Sequence, residues 1–567
     1  MNNIDVTIIA VYLSFIFGIG IYTRNYIKSF ADFMIAGRKV NLALSVVTML
    51  GTELGLITVM YTAQVGVGSL FASFHIGLAA FIVTLAIGLS GFVIVRLREL
   101  KVKSIPEYYQ LRFGKKVRIL GASLLVLGGI LNMGLFLKVG AIFIQNIFGF
   151  DSGSSSLIII MLILLVLVLI YTISGGMMSV IATDYIQYVI LSIGFLIAVF
   201  YSFLTFGWTG IFDSLERIKP YDQIYNPIKN VGVPYISWQV VLGFVSAVIW
   251  PTAITRALSI KNVSMVKHQY VWSSVSFLIR FIIPCFLGIC AFVYFEGNAS
   301  GHDTLALMPK YLSEILPIGV LGIVVAGMLA AFMSTHDSYL LCWSTIITND
   351  IIEPLSNRKI SSKNKILITR LIIFILGIYI FYWGMFYEGS DAIWDYLGIT
   401  GAIYFTGAIS VIVFGLYWEK ASSTGAVLSL LGGLSSLLGL EPIRNALDIN
   451  ISNPAIIGLL TLGFSVILMV FGSLLWPDED SNKKISKVVV EENLIKKYYV
   501  VELLVLSLII SGYVLYGPHN LWFESWMSWK LFWQFLFIVT IILFISMFMK
   551  LTVDGYRDLR QLFKQHD

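Results

Sequence analysis

Long, unbroken runs of apolar residues recur from one end of the chain to the other, for example SSLIIIMLILLVLVLI at 155–170. About twenty predominantly apolar residues are needed to cross the hydrocarbon core of a bilayer as one helix. A transmembrane barrel shows weaker segments of about ten residues with alternating polarity. Since only helices and closed barrels span bilayers, the pattern predicts an all-α polytopic membrane protein.

The apolar runs predict about 14 or 15 membrane spans, since the run at 424–439 is short for a span. The predicted spans lie near 5–23, 42–62, 69–96, 116–147, 155–174, 180–206, 236–257, 270–295, 313–345, 365–387, 392–417, 424–439, 454–476, 498–516 and 530–549.

Lysine and arginine collect in alternate loops. The loops 24–40, 97–115, 346–365 and 477–497 are rich in them, whereas 148–154, 388–391 and 517–529 have none. The loop 207–235 is a mild exception. Because short cytoplasmic loops carry the excess of basic residues, we expect the N-terminus outside, the C-terminus in the cytoplasm, and a multi-pass protein of the cell membrane.

Composition narrows the function classes. The 567-residue chain has 12% charged residues, against about 25% in soluble domains. Its net charge of +6 is explained by the basic loops, so no nucleic-acid partner is expected. No Walker A loop is present, which disfavours ATP-driven transport, and no catalytic constellation indicates an enzyme.

Polar residues interrupt the second span. Thr48, Gly51, Thr52, Glu53 and Gly55 lie where a membrane helix is usually apolar. Such groups must be paired or face a cavity, and an interrupted helix frees backbone carbonyls that can bind a cation. The alternative is close helix packing through small residues, which does not need the Glu53 carboxylate.

The ninth span carries a polar stripe. Ala331, Ser334, Thr335 and Ser338 have i, i+3, i+4 and i+7 spacing and share a helix face, which Asp337 borders. Hydroxyl and carboxylate oxygens are hard ligands that suit an alkali cation. Hydroxyls that bond back to their own helix are the alternative, but they leave Asp337 unexplained.

Two further features concern helix breaks. Asp184 follows the Gly175–Gly176 turn by about two helical turns, and the pattern leaves a functional role and an interfacial cap equally open. Pro251 is expected to kink the seventh span, with Arg256 at the cytoplasmic end of that span.

The kink lies five spans after the interrupted second span. That spacing is expected for two inverted repeats that each begin with a broken helix. The repeats would occupy 42–206 and 236–417, preceded by an extra helix and loop at 1–41 and followed by additional helices at 418–567.

Several segments, in order along the chain, resemble the sodium/solute symporter family, which includes bacterial sodium/proline and sialic-acid symporters and sodium/glucose carriers. The most specific is LAAFMSTHDSYLLCWSTIITND at 329–350. The others are SIPEYYQLRFG at 104–114, SGGMMSVIATDYIQ at 174–187, WPTAITRALSIKN at 250–262 and GLYWEKASSTGAVLSLLGG at 415–433. The resemblance covers roughly residues 1–480.

The resemblance implies a LeuT-like core of ten helices in two inverted five-helix repeats, with extra N- and C-terminal helices. It implies sodium-coupled symport of a small organic solute into the cell by alternating access. Its implied sodium ligands are the carbonyls of Thr48, Gly51 and Ala331 and the hydroxyls of Ser334 and Thr335. A second sodium site, found in some members, would fall on Asp184, Asp337 and Ser338. Sodium is the coupling ion, and no other cofactor or obligate protein partner is implied.

The solute is expected near the bilayer midplane beside the broken helices. Candidate contacts are Glu53, His75 and Trp250, with Pro251 shaping the kink. His75 could equally be a packed histidine bonded to a carbonyl, and Glu53 could instead hold the helix break together.

Three other functions stay open at this point. A proton-coupled carrier on the same fold would use Asp184, Glu53 or His75 as its proton site. A channel would conduct without saturable exchange, and a transporter-like sensor would need a partner to supply an output domain.

Overall fold

The computed structural model describes residues 1–23, 29–150, 153–297, 304–356, 359–387, 392–449, 454–478 and 528–564. Within these ranges the regular secondary structure is helical, apart from an isolated bridge between Val40 and Ile260. Ten helices of these ranges are long and apolar enough to cross a membrane, or eleven if one bent pair counts as a span. The predicted all-α, multi-pass architecture is therefore confirmed.

In chain order, the helices up to residue 206 are α1 Asn3–Thr23, α2 Phe30–Ile35, α3 Leu42–Glu53, α4 Leu56–Ser69, α5 Phe74–Ser90, α6 Ile94–Glu99, α7 Ile105–Phe113, α8 Lys115–Gly134, α9 Phe136–Phe148 and α10 Ser154–Phe206. The next are α11 Trp208–Ile218, α12 Tyr221–Tyr225, α13 Pro227–Asn230, α14 Val233–Ile249, α15 Pro251–Ser259, α16 Ser264–Tyr294, α17 Leu307–Ile315, α18 Val320–Ile346, α19 Glu353–Leu355, α20 Ser362–Phe386 and α21 Ile393–Tyr417. The remainder are α22 Ser423–Gly432, α23 Glu441–Ala446, α24 Pro454–Leu475 and α25 Trp529–Lys564.

Each predicted span falls on helical segments, except 498–516, which lies outside the described residues. Two apolar helical stretches, Leu42–Glu53 and Ser423–Gly439, are shorter than a full span. The first ends at the predicted break, and the second coincides with the short run at 424–439. Gly176 has φ +54°, a left-handed conformation that glycine adopts without a Cβ penalty, so α10 turns there.

The two predicted helix interruptions are present. Helix α3 ends at Glu53 and α4 starts at Leu56, while α14 and α15 meet at Pro251 with a bend of 41°. Pro251 causes the second break because its ring removes a backbone donor. At the first break, a Cβ on Gly55 would lie 1.8 Å from Thr335 Oγ1, so glycine lets α18 approach the unwound backbone.

The broken helices are packed among the other core helices. Helix α10 packs along α18, and α16 packs along both α4 and α5. Thr58 Oγ1 donates to the Glu53 carbonyl at 2.9 Å, which satisfies one acceptor that the break leaves exposed. The assignment of 42–206 and 236–417 as inverted repeats stays a prediction.

Candidate functional site

The polar stripe of α18 meets the break between α3 and α4. Thr335 Oγ1 donates to the Thr52 carbonyl at 3.1 Å. A Cβ placed on Gly51 would lie 3.4 Å from Ser334 Oγ, so these two residues are neighbours. Ala331 is buried one turn earlier on α18. The break and the hydroxyl stripe, which are about 280 residues apart in sequence, therefore form one oxygen-rich cluster.

Asp184 of α10 joins the same cluster. Ser334 Oγ donates to Asp184 Oδ1 at 2.5 Å, and Thr48 Oγ1 donates to Asp184 Oδ2. The Asp184 side chain is fully buried. Residues that the sequence assigned to two separate sodium sites thus lie in direct contact, and the interfacial cap considered for Asp184 does not describe its position.

Arg256 of α15 supplies the positive charge that faces Asp184. The guanidinium is 2% exposed and lies 3.6 Å from Asp184 Oδ2. Its Nη2 donates to Ser338 Oγ at 2.6 Å and to Thr52 Oγ1. A charge buried at this depth requires a partner, and Asp184 is that partner.

Arg256 has no role that its sequence context predicts, because an arginine at a predicted span end is usually interfacial. Asp184 was the sequence signal that could have identified Arg256, since a carboxylate inside the membrane is usually paired with a positively charged side chain.

The consecutive residues Asp337 and Ser338 face different neighbours. Ser338 Oγ lies 3.0 Å from Thr52 Oγ1 and accepts from Arg256. Asp337 is equally buried, but the hydrogen bonds of the described residues that connect Asp184, Thr52 and Arg256 do not include it. Adjacent positions on a helix differ by about 100° in direction, so Ser338 belongs to the group around Asp184, whereas Asp337 lies on a different side of α18.

A cavity of about 110 Å³ lies beside this cluster. Helices α4, α14, α16, α18 and α21 contribute to its walls. Eight aromatic side chains contribute to the lining, and Tyr61 stacks on Trp394 with ring centroids 4.8 Å apart. Thr52 and Thr335 belong both to the cluster and to the cavity wall, so the oxygen cluster and the cavity are contiguous.

An ion pair lines the cavity at the helix break. Arg280 Nη1 donates to Glu53 Oε2 at 2.9 Å, and Thr252 Oγ1 donates to Glu53 Oε1 at 2.6 Å. Arg280 Nη2 donates to the Tyr61 hydroxyl at 3.1 Å. The negative charge of Glu53 is therefore balanced by Arg280 within the protein. Glu53, at the end of α3, thereby links the first helix break to Thr252 beside the second break and to Arg280 of α16.

Arg280 was also missed at the level of sequence. It lies in the middle of the predicted span 270–295, and an intramembrane arginine is by itself a signal of function. Its guanidinium carbon lies 5.2 and 5.4 Å from the ring centroids of Phe281 and Phe277, distances typical of cation–π contacts. No hydrogen-bond partner for its Nε is found in the described part of the chain.

The remaining predicted solute contacts separate into two groups. Trp250 lines the cavity and donates from Nε1 to the Tyr339 hydroxyl at 2.9 Å. Pro251 lies at the break and is buried there. His75 is buried, its Nδ1 lies 2.7 Å from the Ala72 carbonyl, and it is not among the residues that line this cavity. Its surroundings match the packed histidine considered as the alternative.

Two discontinuous helices that bring hard oxygen atoms and a cavity together inside a membrane protein are typical of a secondary transporter. The sequence model of the sodium:solute symporter family matches residues 33–433. The chain belongs to this family. The predicted family membership and the prediction of sodium-coupled symport are therefore confirmed. The alternatives of a proton-coupled carrier and of a transporter-like sensor are not favoured.

The relatives that the chain matches include sodium cotransporters. The chain is 25% identical over 470 residues to sodium/glucose cotransporter 4 of Danio rerio, covering 76% of this chain and 70% of that protein. It is 26% identical over 392 residues to human sodium/myo-inositol cotransporter 2, covering 61% of this chain and 56% of that protein. The matched region thus spans little more than half of the human relative.

Solved structures confirm the LeuT-like fold. A Na⁺-coupled sialic acid symporter in a substrate-bound outward-open state superposes with a TM-score of 0.69 at 21% identity, covering 84% of this chain and 99% of that one. MhsT in complex with L-phenylalanine gives a TM-score of 0.50 at 16% identity, covering 76% and 97%.

Proposed function

We propose that the protein carries a small organic solute into the cell together with sodium, by alternating access about the cluster and cavity. The single observation that supports this most strongly is the contact between the α18 hydroxyl stripe and the unwound segment between α3 and α4. Carbonyl and hydroxyl oxygens suit a hard monovalent cation. Inward movement of one sodium gains about 2.3 kcal/mol per 100 mV of membrane potential.

The proposed sodium ligands are those implied by the family resemblance. They are the carbonyl oxygens of Thr48, Gly51 and Ala331 and the hydroxyls of Ser334 and Thr335. The proposed orientation is that of the basic loops, with the N-terminus outside and the C-terminus in the cytoplasm. The helices α3 and α15, which precede and follow their breaks, then lie on the cytoplasmic side.

A single sodium per cycle is favoured by the position of Arg256. Its Nη2 already bonds to Ser338 Oγ at 2.6 Å and faces Asp184 at 3.6 Å. A second sodium on those oxygens would have to displace a buried guanidinium, leaving that charge unpaired. We therefore expect the dependence of transport on sodium to have a Hill coefficient of about 1, since this coefficient is bounded by the number of coupled sites.

The solute is proposed to bind in the cavity with an oxygen acceptor directed at Arg280. Its Nη1 and Nη2 are engaged by Glu53 and Tyr61, while the Nε donor has no partner among the described residues. Because this donor is buried in the present conformation, a hydroxyl or carboxylate oxygen of the solute would satisfy it once the Arg280 side chain turns this group toward the cavity. The aromatic walls would cover the rest of the solute.

Uptake into proteoliposomes tests this function. The probes are labelled D-glucose, D-mannose, myo-inositol, N-acetylneuraminate and L-phenylalanine, each offered with an inward sodium gradient and with potassium in its place. We expect at least one probe to accumulate only with sodium, and accumulation to increase with an inside-negative potential. Equal uptake in sodium and potassium would contradict sodium coupling. Liposomes that contain the Ser334→Ala/Thr335→Ala variant serve as the control.

A further inference from the structure

The last described helix, α25, reaches back to the first helix of the transporter core. Helix α25 covers Trp529–Lys564, well beyond residue 433, where the family match ends. Its final turns lie against the beginning of α3. An element outside the matched region therefore contacts the helix that carries two of the proposed sodium ligands.

The contact is a helix cap supplied from the far end of the chain. Asp558 Oδ2 accepts from the backbone N–H of Ala43 at 3.0 Å and of Leu44 at 3.2 Å. The first N–H groups of a helix lack partners within it, and a carboxylate there also interacts favourably with the helix dipole. The side chain of Asn41, at the N-cap position of α3, makes no capping bond of its own.

Asn41 instead strengthens the connection between the two helices. Its Nδ2 donates to Asp558 Oδ1 at 3.3 Å and to Gln561 Oε1 at 2.9 Å. The start of α3 is thus attached to α25 through two backbone donors and one side-chain amide.

A second contact anchors α25 beside the oxygen cluster. The Tyr185 hydroxyl donates to the Thr552 carbonyl at 2.6 Å. A Cβ on Gly555 would lie 2.9 Å from Tyr185 Cε2, so glycine lets the ring lie directly on the helix. Tyr185 follows Asp184 in sequence, and α25 therefore bridges α3 and the part of α10 that supplies the Asp184 carboxylate.

The geometry of α3 gives this bridge a mechanical consequence. Helix α3 carries Thr48 and Gly51 and is joined to α4 only through the unwound Leu54 and Gly55. A short helix attached at an unwound segment can pivot there, because hinges are a few residues at the ends of elements. Its position is then fixed by whatever holds its other end.

We propose that α25 is a latch that holds α3 in its sodium-binding position, with Asp558 as the positioning residue. This inference rests on the sodium site proposed above. With the latch engaged, the oxygens of α3 stay opposite Ser334 and Thr335. Release of the latch frees the start of α3 to swing away, which opens the cluster on the side where α25 ends.

The test compares Asp558→Ala with Asp554→Ala in the full chain. Asp554 lies one turn earlier on the same helix and pairs with Arg557 at 3.5 Å, so this variant removes an equal charge from a neighbouring turn. The first readout is the sodium concentration that gives half of the maximal thermal stabilisation. We expect Asp558→Ala to raise it about fivefold, as for a lost helix cap, and Asp554→Ala to leave it unchanged. Asp558→Glu should restore most of the affinity.

The second readout is maleimide labelling of Ser45→Cys, a buried position on α3, with Cys285, Cys290 and Cys342 replaced by serine. We expect faster labelling in Asp558→Ala than in Asp554→Ala. If Asp558→Ala does not fold, Gln561→Ala provides a milder version that should shift both readouts in the same direction.

Two results overturn the latch. One is unchanged sodium affinity and unchanged labelling in Asp558→Ala despite lower thermal stability, which would make α25 a purely structural support. The other is an equal effect of Asp554→Ala. An absence of sodium stabilisation in the wild type would instead contradict the proposed function, so the two failures are distinguishable.

Discussion

The Asp184→Ala variant will lose its response to sodium and much of its stability. Asp184 is fully buried and accepts hydrogen bonds from Thr48 and Ser334. Its removal leaves the Arg256 guanidinium buried without its charge partner. Breaking one side of a buried pair costs about 3–5 kcal/mol, so we expect a large drop in melting temperature as well as the loss of sodium-dependent stabilisation.

Two further variants separate the loss of the Asp184 charge from the loss of the hydrogen bonds by which Asp184 positions Thr48 and Ser334. Asp184→Asn/Arg256→Gln removes both charges, so it should recover much of the stability but not the sodium response. Asp222→Ala breaks the exposed pair with Lys229, in which both side chains are about half exposed, and should cost no more than about 1 kcal/mol. Wild-type stability and sodium response in Asp184→Ala would contradict the role assigned to this carboxylate.

The Arg280→Ala variant will stop solute transport while leaving sodium binding intact. The side chain lines the cavity, and its removal takes away the proposed solute donor and the partner of Glu53. Loss of one hydrogen bond to a charged group costs about 1.5–3 kcal/mol, which corresponds to a loss of solute affinity of roughly 10- to 150-fold. The measurement is solute-dependent thermal stabilisation at saturating sodium, together with uptake.

Arg280→Lys tests the proposed hydrogen bond more narrowly. Lysine keeps the charge opposite Glu53 but lacks the planar set of donors that includes Nε, so solute affinity should fall about tenfold while the sodium response persists. His75→Ala is the matched control, because His75 is buried against Ala72 away from the cavity lining. Unchanged solute affinity in Arg280→Ala, or a larger loss in His75→Ala, would relocate the solute site.

The sequence predicted the broken helices because their causes are local. Gly55 and Pro251 interrupt apolar runs, and each has a backbone property that identifies it without knowledge of its neighbours. The Ser334 and Thr335 stripe was visible for the same reason, since helical spacing alone places both hydroxyls on one face.

The pairings that complete the site could not be predicted, because they join residues far apart in sequence. Arg280 is separated from Glu53 by 227 positions, and Asp558 is separated from Leu44 by 514. An isolated arginine or aspartate has many possible partners, and only the packed structure selects one. His75 shows where a local pattern leaves two interpretations open: its Nδ1 lies 2.7 Å from the Ala72 carbonyl three residues earlier, a contact that matches the packed alternative and that the sequence could not select.

The most direct measurement of the central claim is a sodium titration of thermal stability for the wild type and the Ser334→Ala/Thr335→Ala variant, with potassium as the ion control. We expect sodium to raise the melting temperature of the wild type in a saturable way, since a ligand that binds only the folded state stabilises it. Potassium should have no such effect, and the double variant should not respond to sodium. Equal stabilisation of the wild type by both ions, or an undiminished sodium response in the double variant, would contradict a sodium site between the α18 stripe and the break that follows α3.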